Sequence, residues 1–317
     1  MVTVRLSWPN GGVDKMAARQ YHCFTGLRGE LRFDEPMSAH TTWRAGGPAD
    51  RYYRPVDIDD LATFLQQLPE GEPLFWLGLG SNILVRDGGL RGTVIAYFGG
   101  LNEISHLGDG LVKVGAGLAC AKVARFCAKQ GLVGAEFLSG IPGAMGGALA
   151  MNAGAFGGET WPLIERVEVI DRHGKRLLRD AAAYQVSYRR VVAPAQDEWF
   201  VAAWLRLATG DSAQAMMNIR QLLAHRAATQ PTQQANAGSV FRNPAGDYAA
   251  RLIEACGLKG SSIGDAVVSE KHANFIINRG SATASDIEQL IHHVSATVKQ
   301  QQGIELIREV HLLGVDR

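Results

Sequence analysis

Two glycine-rich stretches carry the residue types best suited to holding a phosphate. The first, Gly78-Leu79-Gly80-Ser81-Asn82-Ile83, follows an apolar run, Leu74 to Leu77, that reads as a buried strand. A tight loop of this composition presents backbone N–H groups to an anion, with the Ser81 and Asn82 side chains beside them. A structural turn explains the loop equally well. Its sixth position is Ile83 where a dinucleotide fingerprint has glycine, and no helical pattern follows, so a Rossmann arrangement fails. Gly115-Ala116-Gly117 fails likewise, with Cys120 in the sixth position. The second stretch is more telling: Ser139-Gly140-Ile141-Pro142-Gly143-Ala144-Met145-Gly146-Gly147-Ala148 runs on through Asn152-Ala153-Gly154-Ala155. Such small side chains let a flat ligand or a pyrophosphate approach the backbone, and Pro142 sets the loop ahead of a short helix whose N-terminus adds positive potential. Close packing of a helix on a sheet is the competing explanation.

These loops sit in a chain of 317 residues, long enough for about two domains. Lys and Arg total 32 against 31 Asp and Glu, a balance that argues against a broad surface for nucleic acid or anionic membrane but leaves room for a local basic pocket. No apolar run approaches the ~20 residues of a membrane span, and residues 1–20 contain no secretory stretch, so a cytoplasmic protein is expected. Cys23, Cys120, Cys127 and Cys256 form no CxxC pair and have no histidine at zinc-ligand spacing; buried free thiols are expected, with no metal.

The pattern of elements divides the chain. Residues 1–20 read as a loose extension. In 21–100 a helix follows Asp57 with an apolar stripe Ile58, Leu61, Phe64, Leu65 and Leu68, and short strands lie at Ile83 to Val85 and Thr93 to Tyr97. In 101–228 strands are expected at Leu111 to Val114, Ile164 to Asp171 and Trp199 to Leu207. Helices span Leu118 to Gln130, stopped by Gly131, and about Asp211 to Ala228. A polar linker opens a third unit, 229–303. Here Ser285 and Glu288 form a capping box ahead of a helix with Ile287, Leu290, Ile291, Val294 and Val298 on one face, ended by Gly303. Ile304 to Leu313 reads as a final strand, and 304–317 can join the first unit. On that strand Glu309 shares a face with Glu305, Ile307 and His311.

Several segments together resemble one flavoprotein family. His40-Thr41-Thr42-Trp43-Arg44-Ala45-Gly46-Gly47, Gly80-Ser81-Asn82-Ile83, and Gly140-Ile141-Pro142-Gly143 through Asn152-Ala153-Gly154-Ala155 are similar to the FAD-binding domain of the family that includes vanillyl-alcohol oxidase and UDP-N-acetylenolpyruvoylglucosamine reductase. The C-terminal third resembles the reductase specifically. Arg226, Gln230-Pro231, Gly238-Ser239-Val240-Phe241-Arg242-Asn243-Pro244, Ser269-Glu270-Lys271-His272-Ala273-Asn274-Phe275 and Arg308-Glu309-Val310 occur in its order. The short stretch between Asn243 and Leu258 matches the class lacking an inserted tyrosine-bearing loop.

The resemblance implies an α+β / α/β chain: a two-subdomain FAD-binding fold of the vanillyl-alcohol-oxidase/PCMH type plus a C-terminal α+β substrate domain. It implies non-covalent FAD, since the first loop offers no His or Cys tether, with NADPH as reductant and a nucleotide-sugar enol ether as substrate. FAD contacts fall on Gly78, Gly80, Ser81, Asn82, Ser139, Gly140, Ile141, Pro142, Gly143, Gly146, Gly147, Asn152, Ala153 and Arg226. Ser239 matches the proton donor, although by type a serine after glycine is a turn residue. Arg189, after Tyr188, matches an arginine that steadies the substrate carboxylate. Val191 replaces a serine common in that motif, and the neighbouring Arg190 leaves two readings of the alignment. Glu309 matches a protonated glutamate hydrogen-bonded to the same carboxylate. Tyr188, Asn243, Lys271 and His272 are candidates for the nucleotide sugar. An oxygen-using oxidase of the same fold, or a non-catalytic flavin or nucleotide-sugar binder, are the rival readings.

Overall fold

The computed structural model describes residues 24–317; the extension expected at 1–20, and Cys23, lie outside the described residues. The first unit is a sheet ordered Glu30–Pro36, Pro48–Arg54, Leu90–Ala96, Leu74–Leu77, with the last three strands parallel. Helix α1, Ile58–Leu65, covers it with the face that the apolar spacing marks, burying Leu61, Phe64 and Leu65 against Tyr53, Ile95 and Tyr97. Asp57 starts the helix by accepting the Asp60 N–H at 2.9 Å. Asp60 is itself buried, and its carboxylate is satisfied by the Tyr53 hydroxyl at 2.7 Å and by the N–H groups of Arg28 and Val56.

The second unit is an antiparallel sheet ordered Arg176–Asp180, Ile164–Asp171, Glu198–Arg206, Leu111–Gly115, Ile104–His106. Helix α2, Cys120–Lys129, and helix α4, Ser212–Thr229, share its core. Between them in sequence lies the short helix α3, Met145–Met151, inside the glycine-rich run. Cys120 and Cys127 fall on the buried face of α2, and burial pushes both thiols up to about 12, which keeps them unreactive. The edge strand Arg176–Asp180 has no apolar alternation and is not visible in the sequence pattern.

The third unit packs helices α5, Ala249–Ala255, and α6, Ala284–Gln302, around a small sheet of Ser262–Ile263, Ala266–Val268 and Ile276–Asn278. Helix α6 buries the expected face, Ile287, Leu290, Ile291, Val294 and Val298, and stops at Gly303 with φ 69°. Its capping box differs from the expected Ser285/Glu288. Thr283 and Asp286 form it instead, because the helix begins earlier. Glu288 is used elsewhere, accepting from Arg86 at 2.7 and 2.9 Å, while the Ala284 and Ser285 N–H groups donate to the Asp87 carboxylate. The C-terminal strand is also shorter than expected: only His311–Leu313 is regular, running parallel to Ile83–Val85 of the first unit. In residues 304–310 Leu306 and Val310 are buried and Ile307 is exposed, but the alternation breaks at exposed Arg308 and partly buried Glu309, and the segment makes one isolated bridge among the described residues, Phe241 to Arg308. The segment they face turns away at Pro244, which has no N–H to extend a ladder.

Trp43 locks the first and third units together. It is fully buried in the third unit's core, its indole donates to the Ile276 carbonyl at 2.8 Å, and Asn278 donates to its carbonyl at 2.8 Å. Trp43→Ala removes that wedge and leaves the Ile276 carbonyl without its donor. The expected loss is about 3–5 kcal/mol in denaturant unfolding. A loss under about 1 kcal/mol would show that the two units hold without it.

Candidate active site

The strand ends and loops of all these units converge on a cavity of about 640 Å³. Its walls are the Gly78–Ile83 loop, the glycine-rich run, the C-terminal turn of α4, Ala237 to Ser239, and Glu309 with His311. Most residues expected to touch the cofactor are on these walls: Gly78, Gly80, Ser81, Asn82, Gly140, Ile141, Pro142, Gly143, Gly146, Gly147, Ala153 and Arg226. Ser139 and Asn152 are not. Ser139 is buried behind the wall. Asn152 closes α3 in a left-handed conformation, φ 41°, where its amide donates to Glu159 and accepts from Trp161 N–H.

The glycines have different reasons for being glycine. A Cβ at Gly140 would lie 2.3 Å from the Phe156 ring, and one at Gly146 would lie 2.9 Å from the Tyr97 ring. A Cβ at Gly80, where φ is 62°, would meet the His40 carbonyl. These three admit close packing, as the competing explanation of the sequence holds. Gly147 is the opposite case: nothing lies within 4 Å of its would-be Cβ, and Gly143 meets only ordinary contacts at 3.6 Å. At those two positions the missing side chain leaves cavity space.

That space fits a flavin dinucleotide. Arg226 on the wall hydrogen-bonds Gln230 at 3.1 Å, has no carboxylate partner among the described residues, and is pushed to a lower pKa by burial, so an anion would relieve it. The Trp76 indole N–H, also on the wall and stacked on Trp199, is buried without a partner among the described residues. Apolar walls with a few such polar points are what a large planar ligand requires.

At one end of the cavity Arg189 meets Glu309. Arg189 sits at the tip of the hairpin Gln185–Ser187/Arg190–Val192 with φ 55°, an uncommon conformation for a side chain of its size. Its Nε donates to Glu309 Oε1 at 2.9 Å, Nη1 to the Asn152 carbonyl at 3.3 Å and Nη2 to the Gly154 carbonyl at 2.9 Å. Arg190, one residue on, lies exposed in the hairpin strand and is not on the cavity wall, whereas Arg189 is. Val191 pairs with Val186 and packs on the second unit's core. Burial drives the Glu309 carboxyl above the usual carboxylate range, with Arg189 and then Arg242 pulling the other way. Ser239 stands on the same cavity wall, after Gly238 with φ 75°.

The expected sugar-binding residues are elsewhere. Tyr188 is half exposed and lies under the Arg189 guanidinium, 5.2 Å from ring centre to Cζ. Asn243 accepts the Ala249 N–H at the start of α5. The Lys271 ammonium donates to the Ala227 carbonyl. His272 accepts the Asn274 N–H through Nδ1, and burial lowers its pKa. None of the four lines the cavity.

Comparison with known proteins agrees with this layout. Residues 49–178 match the FAD binding domain family, and residues 230–313 match the family described as UDP-N-acetylenolpyruvoylglucosamine reductase, C-terminal domain. The UDP-N-acetylenolpyruvoylglucosamine reductase of Legionella pneumophila (strain Corby) is 58% identical over 291 residues, 92% of this chain and 94% of that one. The chain belongs to the UDP-N-acetylenolpyruvoylglucosamine reductase family. The reductase of Nitrosococcus oceani is 59% identical over 288 residues, 91% of this chain and 96% of its own. The crystal structure of the reductase from Thermus caldophilus superposes with a TM-score of 0.77 at 30% identity, covering 91% of this chain and all of that one.

The reductase cavity also has walls that sequence reasoning missed. Trp76, Tyr97, Phe156 and Trp199 are aromatic positions that pass for core, and His311 passes for a surface residue of the last strand. The His311 Nε2 lies 3.2 Å from Met151 Sδ, and burial lowers its pKa. Gly147 supplies a direct test of the cofactor cradle. Gly147→Ala, inside α3, is expected to make the flavin-free protein more stable by about 0.5–1 kcal/mol and to weaken FAD binding. Thermal unfolding of the apoprotein and a flavin fluorescence titration read the two effects. Unchanged FAD affinity would remove Gly147 from the cradle.

Proposed function

We propose that Arg189, Ser239 and Glu309 carry the chemistry of an NADPH-dependent, FAD-mediated reduction of UDP-N-acetylglucosamine enolpyruvate to UDP-N-acetylmuramate, a step of peptidoglycan precursor synthesis. The observation that supports these roles is the Arg189–Glu309 pair at 2.9 Å on the wall that also holds Ser239. Among the described residues no helix is long and apolar enough to cross a membrane, and the substrate is a small molecule.

Bound FAD would supply the hydride chemistry of the reaction, linking NADPH as reductant to the terminal enolpyruvyl carbon. Gly143, Gly147 and Arg226 are the residues we assign to holding it. Hydride addition leaves negative charge on the adjacent carbon, delocalised into the carboxylate. Arg189 is placed to bind that carboxylate, because a guanidinium offers paired donors in a plane. Protonated Glu309 donates a hydrogen bond to the same group, and Ser239 Oγ delivers the proton that completes the saturated carbon. In the resting protein Arg189 is engaged by Glu309. The substrate carboxylate competes for that guanidinium, and Glu309, once released into a buried setting, takes up a proton.

Anaerobic reduction with NADPH followed by addition of the enol ether tests the assignment. The oxidised flavin spectrum returns in proportion to the enol ether added. Reoxidation by oxygen alone would leave the fold and remove the substrate.

The pH dependence follows from Glu309. Its folded-state pKa is raised, so the folded chain holds this proton more tightly than the unfolded chain does. The associated stability is complete below the unfolded-state value and is lost as pH rises through the folded-state value. Substrate reduction is expected to fall over that same upper window. Glu309→Gln, which keeps a hydrogen-bond donor without titrating, is expected to retain part of the rate and to lose that limb of the profile. An identical limb in the variant would assign the titration to another group.

A further inference from the structure

We propose that Asn274 is a positioning residue for substrate reduction: it holds the segment carrying Ser239 in register with the segment carrying Glu309. This rests on the reading of Ser239 as the proton donor. Asn274 is 3% exposed. Its Oδ1 accepts the Phe241 N–H at 3.0 Å, and its Nδ2 donates to the Phe241 carbonyl at 2.8 Å. Its own carbonyl accepts the Val240 N–H at 2.9 Å. On the opposite side, the Glu309 N–H donates to the Val240 carbonyl at 2.8 Å, and the Arg242 N–H donates to the Ile307 carbonyl at 2.8 Å. The segment 240–242 is therefore gripped between the backbone before Glu309 and one carboxamide that substitutes for a missing strand.

Asparagine suits the position because one short planar group supplies both an acceptor and a donor, matching both backbone groups of a single residue. Aspartate keeps only the acceptor, and alanine keeps neither. Phe241 is 2% exposed, so water cannot easily take over its N–H and C=O, and the backbone would move to find partners. Upstream of Ser239 the chain is held by a second local contact, the Gly238 N–H donating to Asn236 Oδ1 at 2.9 Å. That contact does not reach the Glu309 segment.

The loop Ser269–Phe275 explains how Asn274 is aimed. Ser269 Oγ accepts the N–H groups of Lys271 and His272, and His272 accepts the N–H of Asn274 through its ring and that of Phe275 through its carbonyl. The motif that suggested sugar-binding residues thus builds a support, with Lys271 and His272 off the cavity and Phe275 on its wall.

The test uses the FAD-bound protein and the variants Asn274→Ala and Asn274→Asp, with Ser239→Ala measured beside them. Under anaerobic stopped flow, reduction of bound FAD by NADPH is expected to stay within about twofold of the parent in both Asn274 variants. Flavin reoxidation by the enol ether is expected to slow by about 10²-fold in Asn274→Ala and by less in Asn274→Asp. The solvent deuterium isotope effect on that reoxidation is expected to grow, because a displaced Ser239 makes proton delivery slower. Equal slowing of both half-reactions, parent rates in both, an unchanged isotope effect, or loss of bound FAD from both variants would each overturn the proposal. Parent-like reoxidation in Ser239→Ala would instead remove the proton-donor reading on which it stands.

Discussion

A charged pair at the edge of an apolar cavity is the constraint on which the rest depends. Arg189 and Glu309 are 120 residues apart in sequence and come from different units, yet their charged groups meet at 2.9 Å. Partly dry charges at this distance are favourable only if both are held and their remaining groups are satisfied. Arg189 is held by the carbonyls of Asn152 and Gly154, which lie at the end of α3 and just beyond it. Glu309 is held through its backbone, by Val240 on one side, and by the Asn82 side chain donating to its carbonyl at 3.3 Å. The glycine loops, the hairpin and the third unit therefore share a common point. Displacing any of them changes the pair. This also explains why the C-terminal strand returns to Ile83–Val85: pairing there fixes His311, and through it Glu309, against the loop after the first strand-ending glycines.

The glycine-rich run serves this constraint in two ways that a sequence cannot separate. Phe156, at φ 53° in the turn between Gly154–Ala155 and Gly158–Glu159, lies directly on Gly140, and Tyr97 lies on Gly146. Each ring uses the space of an absent side chain to close the floor of the cavity. Gly143 and Gly147 leave their space empty. Composition alone reports small residues in all four places, because packing and ligand approach both require the same absence of a Cβ.

Where the sequence was legible, one local rule decided the matter. The 3.6-residue stripe on α1 and α6, the Asp57 and Asp211 caps and the stop at Gly303 are all set by interactions within a few residues. Where it was not, a distant partner took over. Ser285 and Glu288 have the spacing of a capping box, but Asp87 and Arg86 of another unit claim them, and Thr283 with Asp286 does the capping. The sequence of residues 304–310 alternates like a strand, but a ladder needs a continuous partner, and the segment around Phe241 that bridges Arg308 runs into Pro244, which has no N–H to extend one. In the site the three residues proposed to be catalytic were reached through resemblance, since none has a telling neighbour in sequence. Trp76, Tyr97 and Trp199 were missed because an aromatic facing a cavity has the same local pattern as one facing a core.

The Ser269–Phe275 motif shows the same difficulty from the other side. Ser, Lys, His and Asn in close succession look like a polar binding loop, and a nucleotide-diphosphate sugar calls for such residues. Their hydrogen bonds run inward instead, from Ser269 through His272 to Asn274, and end on the backbone of Phe241. A loop that is to hold Ser239 opposite Glu309, as proposed, cannot rely on apolar packing alone, because dispersion contacts have little direction. Hydrogen bonds to the backbone do have direction, and a buried one is costly to leave unmade. Polar residues clustered beside an active site can thus be needed for geometry, with the ligand touching only what they support.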